Sequence, residues 1–188
     1  MPAASDILNK RKIAVLGSRS VGKSSLVLQF IENTFIEPYH PTIESTFVKT
    51  IRYHNQDYDC EIIDTAGQDE YSLLNSKHAI GIHGYVLVYS VTSRNSFDMI
   101  QIIYDKIVNF SGVKEIPCVI VGSKADLEQF REVTKEEGEE LARQNHAQWL
   151  ETSAKNNVNV AKVFESCLAQ VAGPNSKGDP PMSKCLIM

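Results

Sequence analysis

The chain has 188 residues, a length that suits one domain with an adequate hydrophobic core. Hydrophobic residues make up 43% of it and charged residues 22%, which is typical of globular proteins. The formal net charge of −4 argues against a general attraction to nucleic acid, so an anionic ligand needs a local binding site. No apolar run approaches the ~20 residues of a membrane span, and the N-terminus lacks a signal-peptide pattern. We therefore expect the protein on the cytosolic side.

The first predicted element follows a polar lead of ten residues. Residues 12–16 are apolar on both faces, which predicts a central strand of a covered parallel sheet. Residues 17–24 come next and match the pattern G-x-x-x-x-G-K-[ST]. From Ser24 onward, Leu26, Phe30 and Ile31 recur at helical spacing. A loop between a strand and a helix is the setting that a phosphate-binding loop requires.

The phosphate loop predicts specific chemistry. Gly17 and Gly22 permit the backbone to curl its N–H groups around a phosphate, with the positive end of the helix behind. Lys23 would bridge the outer phosphates, and the Ser24 hydroxyl would hold Mg²⁺.

The rest of the chain alternates between strands and helices after an edge hairpin. Residues 34–45 are predicted to form a loop, because Pro38 and Pro41 interrupt any regular pattern. Strands are predicted at 46–53, 58–63, 85–91, 116–122 and 149–151, and helices at 96–110, 134–145 and 158–171. Residues 54–56 would form the hairpin turn, and Thr134 with Glu137 would form a capping box. This alternation indicates a mainly parallel sheet covered on both faces, with ligands at the carboxyl ends of its strands.

The cysteines show no metal or redox spacing. Cys60, Cys118 and Cys167 lie in apolar runs and are interpreted as core residues. Cys185 lies four residues from the end, after a tail from residue 173 that is rich in Pro, Gly, Ser and Asn. We interpret that tail as a flexible tether.

Five motifs follow one another between residues 12 and 155, and together they resemble those of a small GTPase of the Ras superfamily. They are the phosphate loop, Pro41-Thr42-Ile43-Glu44, Asp64-Thr65-Ala66-Gly67-Gln68, Ser123-Lys124-Ala125-Asp126 and Glu151-Thr152-Ser153-Ala154-Lys155. Arg19 at the third position of the phosphate loop and residues 84–93 are most similar to the Rheb branch.

The resemblance implies a fold and a domain organisation. It implies an α/β P-loop NTPase fold of the Ras type, with a mainly parallel six-stranded sheet, helices on both faces and one antiparallel edge hairpin. Residues 1–10 would be a flexible lead, residues 11–172 the GTPase domain, and residues 173–188 a flexible tether that ends in a prenylation motif.

The resemblance also implies the nucleotide contacts. GTP and GDP would be bound, as substrate and product, by Ser18, Arg19, Ser20, Val21, Gly22, Lys23, Ser24, Ser25, Phe35, Pro38, Tyr39, Thr42, Gly67, Ser123, Lys124, Asp126, Leu127, Ser153, Ala154 and Lys155. Mg²⁺ would be held by Ser24, Thr42 and, through water, Asp64. Gln68, Lys23, Gly67 and Thr42 would carry the hydrolysis, with Gln68 positioning the attacking water. Turnover would be slow without an activating protein.

Base recognition falls to the last two motifs. An ionised Asp126 can accept both the N1–H and the exocyclic amine of guanine, which adenine cannot match. By resemblance, Ser153 steadies Asp126 and the Ala154 N–H reads the guanine oxygen. Phe35 and Lys124 would cover opposite faces of the base, although a lone aromatic residue such as Phe35 is more often part of a core.

Two positions depart from the family pattern. Ser123 replaces the asparagine that ties the base-reading loop to the phosphate loop, and we expect weaker nucleotide retention and faster exchange from the missing hydrogen bonds. The alternative is a water molecule that fills the gap at little cost. His40 stands where Ras-like proteins carry aspartate, at a position that faces partners.

The ending Cys185-Leu186-Ile187-Met188 fits C-a-a-X with Met last, which favours farnesylation of Cys185 by farnesyltransferase. One lipid chain without a polybasic patch binds membranes reversibly. We therefore expect a lipid-anchored protein on the cytosolic face of endomembranes (vacuole or lysosome, Golgi, ER), with the plasma membrane as a further location. By resemblance to Rheb, the effector would be the TOR kinase complex, the activator would be of the tuberin type, and the protein would be monomeric.

Three readings stay open at this point. The leading one is a switch that hydrolyses GTP, whether with Rheb-type or other effectors. The second is a binding module that holds GTP almost permanently, which Arg19 favours by crowding the catalytic region and which Gln68 argues against. Separately, Arg19 would hinder the arginine finger of a Ras-type activator; the alternative is a solvated loop arginine with no such role. The third, an ATP-dependent kinase, is disfavoured by Asp126.

Overall fold

The computed structural model describes residues 9–37, 42–67 and 81–172. Within these described ranges, six strands form one sheet in the order β2-β3-β1-β4-β5-β6. The strands are β1 (Lys10–Leu16), β2 (Ser45–Tyr53), β3 (Gln56–Asp64), β4 (Gly84–Ser90), β5 (Cys118–Ser123) and β6 (Gln148–Glu151). The helices are α1 (Lys23–Glu32), α2 (Arg94–Ser111), α3 (Lys135–Gln144) and α4 (Val160–Ala172), with a 3-10 helix at Glu128–Phe130.

The sheet is parallel except at one edge. β1 pairs in parallel with β3 and β4, and β4-β5 and β5-β6 are parallel too. β2 and β3 form the predicted antiparallel hairpin. The predicted turn of three residues is wrong by one, because Gln56 already pairs with Tyr53 as the first residue of β3. His54 and Asn55 alone make the turn, both with positive φ (48° and 61°), as in the tight turns that match strand twist.

Hydrophobic layers cover both faces of the sheet, as predicted. On β1, Ile13 and Val15 pack on one side, in the core that includes residues of α1 and α4. Ala14 and Leu16 pack on the other side, in the core that includes residues of α2 and α3. This alternation follows from the two-residue period of a strand, and it explains why residues 13–16 of β1 are all apolar and buried. Cys60, Cys118 and Cys167 are buried free thiols, as expected.

Element boundaries shift where local chemistry overrides the pattern. β5 begins at Cys118, not at residue 116, and α4 begins at Val160 because Val158 forms a β-bridge with Ser153. The capping box of α3 is present as predicted, with Thr134 and Glu137 each bonding the other's backbone. No helix among the described residues is long and apolar enough to span a membrane.

Candidate nucleotide-binding site

A cavity of about 550 Å³ opens where the carboxyl ends of the parallel strands meet the loops that follow them. Its volume lies in the range of small-molecule sites. It is lined by Arg19, Ser20, Gly22, Lys23, Ser24, Ser25, Leu26, Leu28, Phe35, Ile36, Glu37, Thr42, Gly67, Ser123, Lys124, Asp126, Leu127, Thr152, Ala154 and Lys155. The structure thus brings most of the predicted contacts into one concave surface.

The phosphate loop has the backbone that its glycines predict. Gly17 has φ 150°, and a Cβ there would stand 2.1 Å from the Val88 carbonyl oxygen. Gly22 has φ 98° and caps the N-terminus of α1. The first N–H groups of α1 therefore face the cavity, which makes its floor suitable for an anion.

Lys23 is buried at the phosphate end of the cavity. Its Nζ donates to the carbonyl oxygens of Gly17 and Ser18, at 3.0 and 2.8 Å. Burial lowers its pKa to about 8, against the opposing pull of the Asp64 carboxylate. A desolvated ammonium gains much from a phosphate, which would supply more negative charge than Asp64 alone provides.

The three predicted metal ligands converge beside Lys23. Ser24 Oγ and Thr42 Oγ1 lie 2.7 Å apart, and the Ser24 hydroxyl is near enough to the Asp64 carboxylate to favour its charged form. Burial raises the pKa of Asp64. Its Oδ1 atom is buried and has no hydrogen-bond partner among the described residues. Two hydroxyls and an unsatisfied buried carboxylate oxygen form an oxygen donor set that suits a hard divalent cation such as Mg²⁺.

The other end of the cavity holds the predicted guanine-reading groups. Ser153 Oγ donates to Asp126 Oδ1 at 2.6 Å, which is the predicted contact. The Asn156 N–H donates to the same hydroxyl at 3.1 Å, so the acceptor and donor capacity of Ser153 is used to orient Asp126. Lys124 Nζ reaches the Ser20 carbonyl oxygen at 2.7 Å and joins the base loop to the phosphate loop.

Ser123 corrects one expectation. Sequence reasoning predicted that serine loses the tie between the base loop and the phosphate loop, but its hydroxyl donates to the Val21 carbonyl oxygen of the phosphate loop. It also lies 2.8 Å from the Tyr89 carbonyl oxygen. The serine is long enough because Gly22 brings the phosphate loop close, with Ser123 Oγ 3.7 Å from where a Gly22 Cβ would stand.

Gly67 lies directly against Arg19. A Cβ at Gly67 would stand 2.6 Å from Arg19 Cα and 2.3 Å from Arg19 Cγ, so only glycine fits there. Arg19 itself is exposed and lines the cavity. The segment that follows β3 is therefore packed on the third position of the phosphate loop.

Sequence reasoning missed a largely shielded ion pair beside the base loops. Arg131 binds Glu151 through two hydrogen bonds, at 2.6 and 3.1 Å, and both side chains are 12–13% exposed. Arg131 Nη1 also donates to the Val133 carbonyl oxygen at 3.0 Å. The pair joins the segment after Asp126 to the strand that leads into Ser153. A carboxylate directly after the apolar pair Trp149 and Leu150 was the available signal for Glu151.

Several predicted residues lie outside the described part of the chain. They are Pro38, Tyr39, His40, Gln68 and Cys185. Their predicted roles in nucleotide contact, partner choice, catalysis and lipidation stay predictions.

A phosphate loop at one end of a cavity, with an aspartate held for guanine at the other, defines the class of P-loop GTPases. Residues 12–173 match the model of the Ras family, and the chain belongs to that family.

Similar proteins indicate which branch of the Ras family this chain resembles. GTP-binding protein rhb1 of Schizosaccharomyces pombe is 57% identical over 175 residues, which cover 92% of this chain and 95% of the relative. Small monomeric GTPase RhbA of Aspergillus fumigatus is 50% identical over the whole of both chains, and GTP-binding protein Rheb of Homo sapiens is 45% identical over 95% and 97% of them. The chain is a Rheb-like small GTPase that binds GTP and GDP and hydrolyses GTP.

Proposed function

We propose that the protein is a Mg²⁺-dependent GTP/GDP switch that signals to growth control through the TOR kinase complex. The observation that carries the switch is the meeting of Ser24, Thr42 and Asp64 beside the phosphate loop. Thr42 belongs to the first mobile loop of the family pattern. Thr42 would contact both the metal and the γ-phosphate. These contacts would order that loop only while GTP is bound.

In this proposal the chain's own residues supply alignment and charge. Lys23 neutralises charge on the outer phosphates, and the backbone N–H groups of Gly67 and Thr42 contact the γ-phosphate. Gln68 orients the attacking water. Ser24, Thr42 and Asp64 would hold Mg²⁺, which would supply positive charge to offset that of the phosphates.

Replacement of Asp64 tests the metal site. Asp64→Asn keeps the size of the side chain and removes its charge, so we expect at least a tenfold higher Mg²⁺ concentration for half-maximal GDP retention. The measurement is the release rate of a fluorescent GDP analogue across a Mg²⁺ titration. Asp59→Asn, on the exposed side of the same strand, is the matched control. An unchanged Mg²⁺ titration in Asp64→Asn would contradict the assignment.

The partners and location that we propose rest on similarity to Rheb and on the C-terminal motif. The active form would engage the TOR kinase complex, and farnesylation of Cys185 would hold the monomeric protein on endomembranes with marginal, reversible affinity. Cys185→Ser should move the protein from the membrane fraction to the supernatant of a cell lysate. It should also weaken TOR-kinase output, and unchanged membrane association would argue against the anchor.

A second candidate is a module that holds GTP for long periods, and the packing of Arg19 on Gly67 favours it. An arginine at this point would obstruct the arginine finger of a Ras-type activator, which leaves a tuberin-type activator as the off-switch. Arg19→Gly should therefore gain stimulation by an arginine-finger activator, measured as single-turnover hydrolysis of bound GTP. Equal stimulation of the parent and Arg19→Gly would show that Arg19 has no such role.

A further inference from the structure

The segment that follows α1 forms one wall of the guanine end of the cavity. Residues 34–37, here called the strap, have no regular secondary structure, and all four are exposed. Three of them, Phe35, Ile36 and Glu37, line the cavity. Phe35 is the strap residue expected against the guanine. Burial of its side chain in the core cannot hold it there, because it is 36% exposed.

Two side-chain bridges fasten the strap to the turn that carries the last base-reading motif. Asn157 Nδ2 donates to Asn33 Oδ1 at 3.1 Å, just before the strap. Lys155 Nζ lies 3.2 Å from Glu37 Oε1, at the end of the strap. The two bridges, here called the clasp, join residues more than 110 positions apart and stand on either side of Phe35 in the sequence.

The backbone conformation at both Asn33 and Asn157 favours asparagine at these positions. Asn33 and Asn157 adopt the left-handed conformation, with φ 54° and 52°. Asparagine tolerates this conformation better than most residues. Gln29, which is buried, also donates to Asn33 Oδ1 at 3.0 Å and so fixes the acceptor that faces Asn157. The bridge is thus pre-oriented by the end of α1, the same helix whose N-terminus faces the phosphates.

We infer that the clasp positions Phe35 over the guanine and slows nucleotide release by joining the two walls of the guanine end. Asn33, Asn157 and Glu37 are positioning residues, since they act through Phe35 and the cavity wall. The inference rests only on guanine-nucleotide binding and is independent of Mg²⁺, effector or membrane. It separates the retention of the base from the sensing of the γ-phosphate, which falls to Thr42 and Gly67.

The Glu37–Lys155 bridge gives the clasp a distinctive salt dependence. Both side chains are largely exposed, at 74% and 55%, so their attraction is modest and is screened by salt. The Asn33–Asn157 bridge is uncharged and does not share this property. Loss of the first bridge should therefore alter how release responds to ionic strength, whereas loss of the second should alter release equally at every ionic strength.

The test measures release of a fluorescent GDP analogue from the full chain at low and high NaCl, with Mg²⁺ held constant. Glu37→Gln should speed release about two- to fourfold at low salt and flatten its salt dependence relative to the parent. Asn157→Gly, which suits the positive φ, should speed release about two- to fivefold at both salt concentrations. Glu32→Gln is the matched control, since it removes a carboxylate at the end of α1 that takes no part in the clasp, and it should release the analogue as the parent does.

Two further readouts separate positioning from general loosening of the fold. Thermal unfolding of the GDP-free form should be unchanged in Glu37→Gln, and single-turnover hydrolysis of bound GTP should be unchanged in Asn157→Gly. The inference is overturned if both variants release the analogue at the parent rate, or if Glu37→Gln keeps the parent's salt dependence. It is also overturned if the Glu32→Gln control releases the analogue as fast as the two clasp variants do.

Discussion

The Ser123 hydroxyl has one proton and two carbonyl oxygens within reach, those of Val21 and Tyr89. Because a hydroxyl can donate to one acceptor at a time, one of these buried carbonyls is always left without this donor. The Ser123 hydrogen bond to the phosphate loop exists, but the same proton is shared with the Tyr89 carbonyl oxygen. An asparagine amide carries two N–H groups and can serve two acceptors, so the expectation of weaker retention survives for a different reason from the one that the sequence suggested.

We predict that Ser123→Asn slows GDP release about fivefold, which corresponds to roughly 1 kcal/mol for one additional net hydrogen bond. Ser123→Ala removes the donor altogether and should speed release. Release of a fluorescent GDP analogue at saturating Mg²⁺ measures both. A rate for Ser123→Asn equal to or faster than that of the parent would show that the single shared proton is not what limits retention.

Individual residues differ in how far the sequence could predict them. Lys23, Ser24, Asp64, Asp126 and Ser153 were predictable because motif spacing fixes both their chemistry and their place, either just after a strand or at the start of α1. The partners of Ser123 were not, because they depend on how closely Gly22 brings two loops together. The role of Glu37 was also unpredictable, since its partner Lys155 lies 118 positions away.

At the scale of elements, one carboxylate joins the N-termini of α2 and α3. Glu137 completes the capping box of α3, with its Oε2 accepting from the Thr134 N–H at 2.9 Å. The same carboxylate accepts from Arg94 Nη1 and Nη2 at 2.8 and 3.0 Å. These hydrogen bonds, led by those from Arg94, lower the pKa of Glu137 to about 2. The capping box was predictable from local spacing, whereas the tertiary partner Arg94 was not.

The lowered pKa gives a prediction with a defined sign. Because the folded pKa lies below the ordinary value of 4.5, Glu137 stabilises the fold above pH 4.5, and this contribution is lost as the pH falls from 4.5 toward 2. Glu137→Gln should lower the unfolding temperature at pH 7 and show a smaller further fall between pH 5 and pH 3 than the parent. The control is Glu139→Gln on the exposed face of α3. Parallel pH curves for the parent and Glu137→Gln would contradict the assignment.

At the scale of the whole molecule, the fold brings two ends of a nucleotide site together. β1 and β3 deliver the phosphate loop and Asp64, while β5 and β6 lead into the segments that carry Asp126 and Ser153. Alternation of strands and helices predicted this arrangement, since ligands of parallel sheets bind at the carboxyl ends of strands. The clasp contacts of the strap and the Arg131–Glu151 pair were not predictable, because they depend on tertiary contacts between segments that are distant in the sequence.

The central claim is that this cavity is built for a guanine nucleotide, and the nucleotide that co-purifies with the protein tests it most directly. Denaturation of the protein purified in Mg²⁺, followed by chromatography of the released small molecules, gives the identity and stoichiometry of the nucleotide. We predict close to one guanine nucleotide per chain in the parent and much less in a variant that lacks the guanine-pairing carboxylate, Asp126→Ala. Recovery of adenine nucleotide, or of equal guanine nucleotide from the parent and Asp126→Ala, would contradict the account.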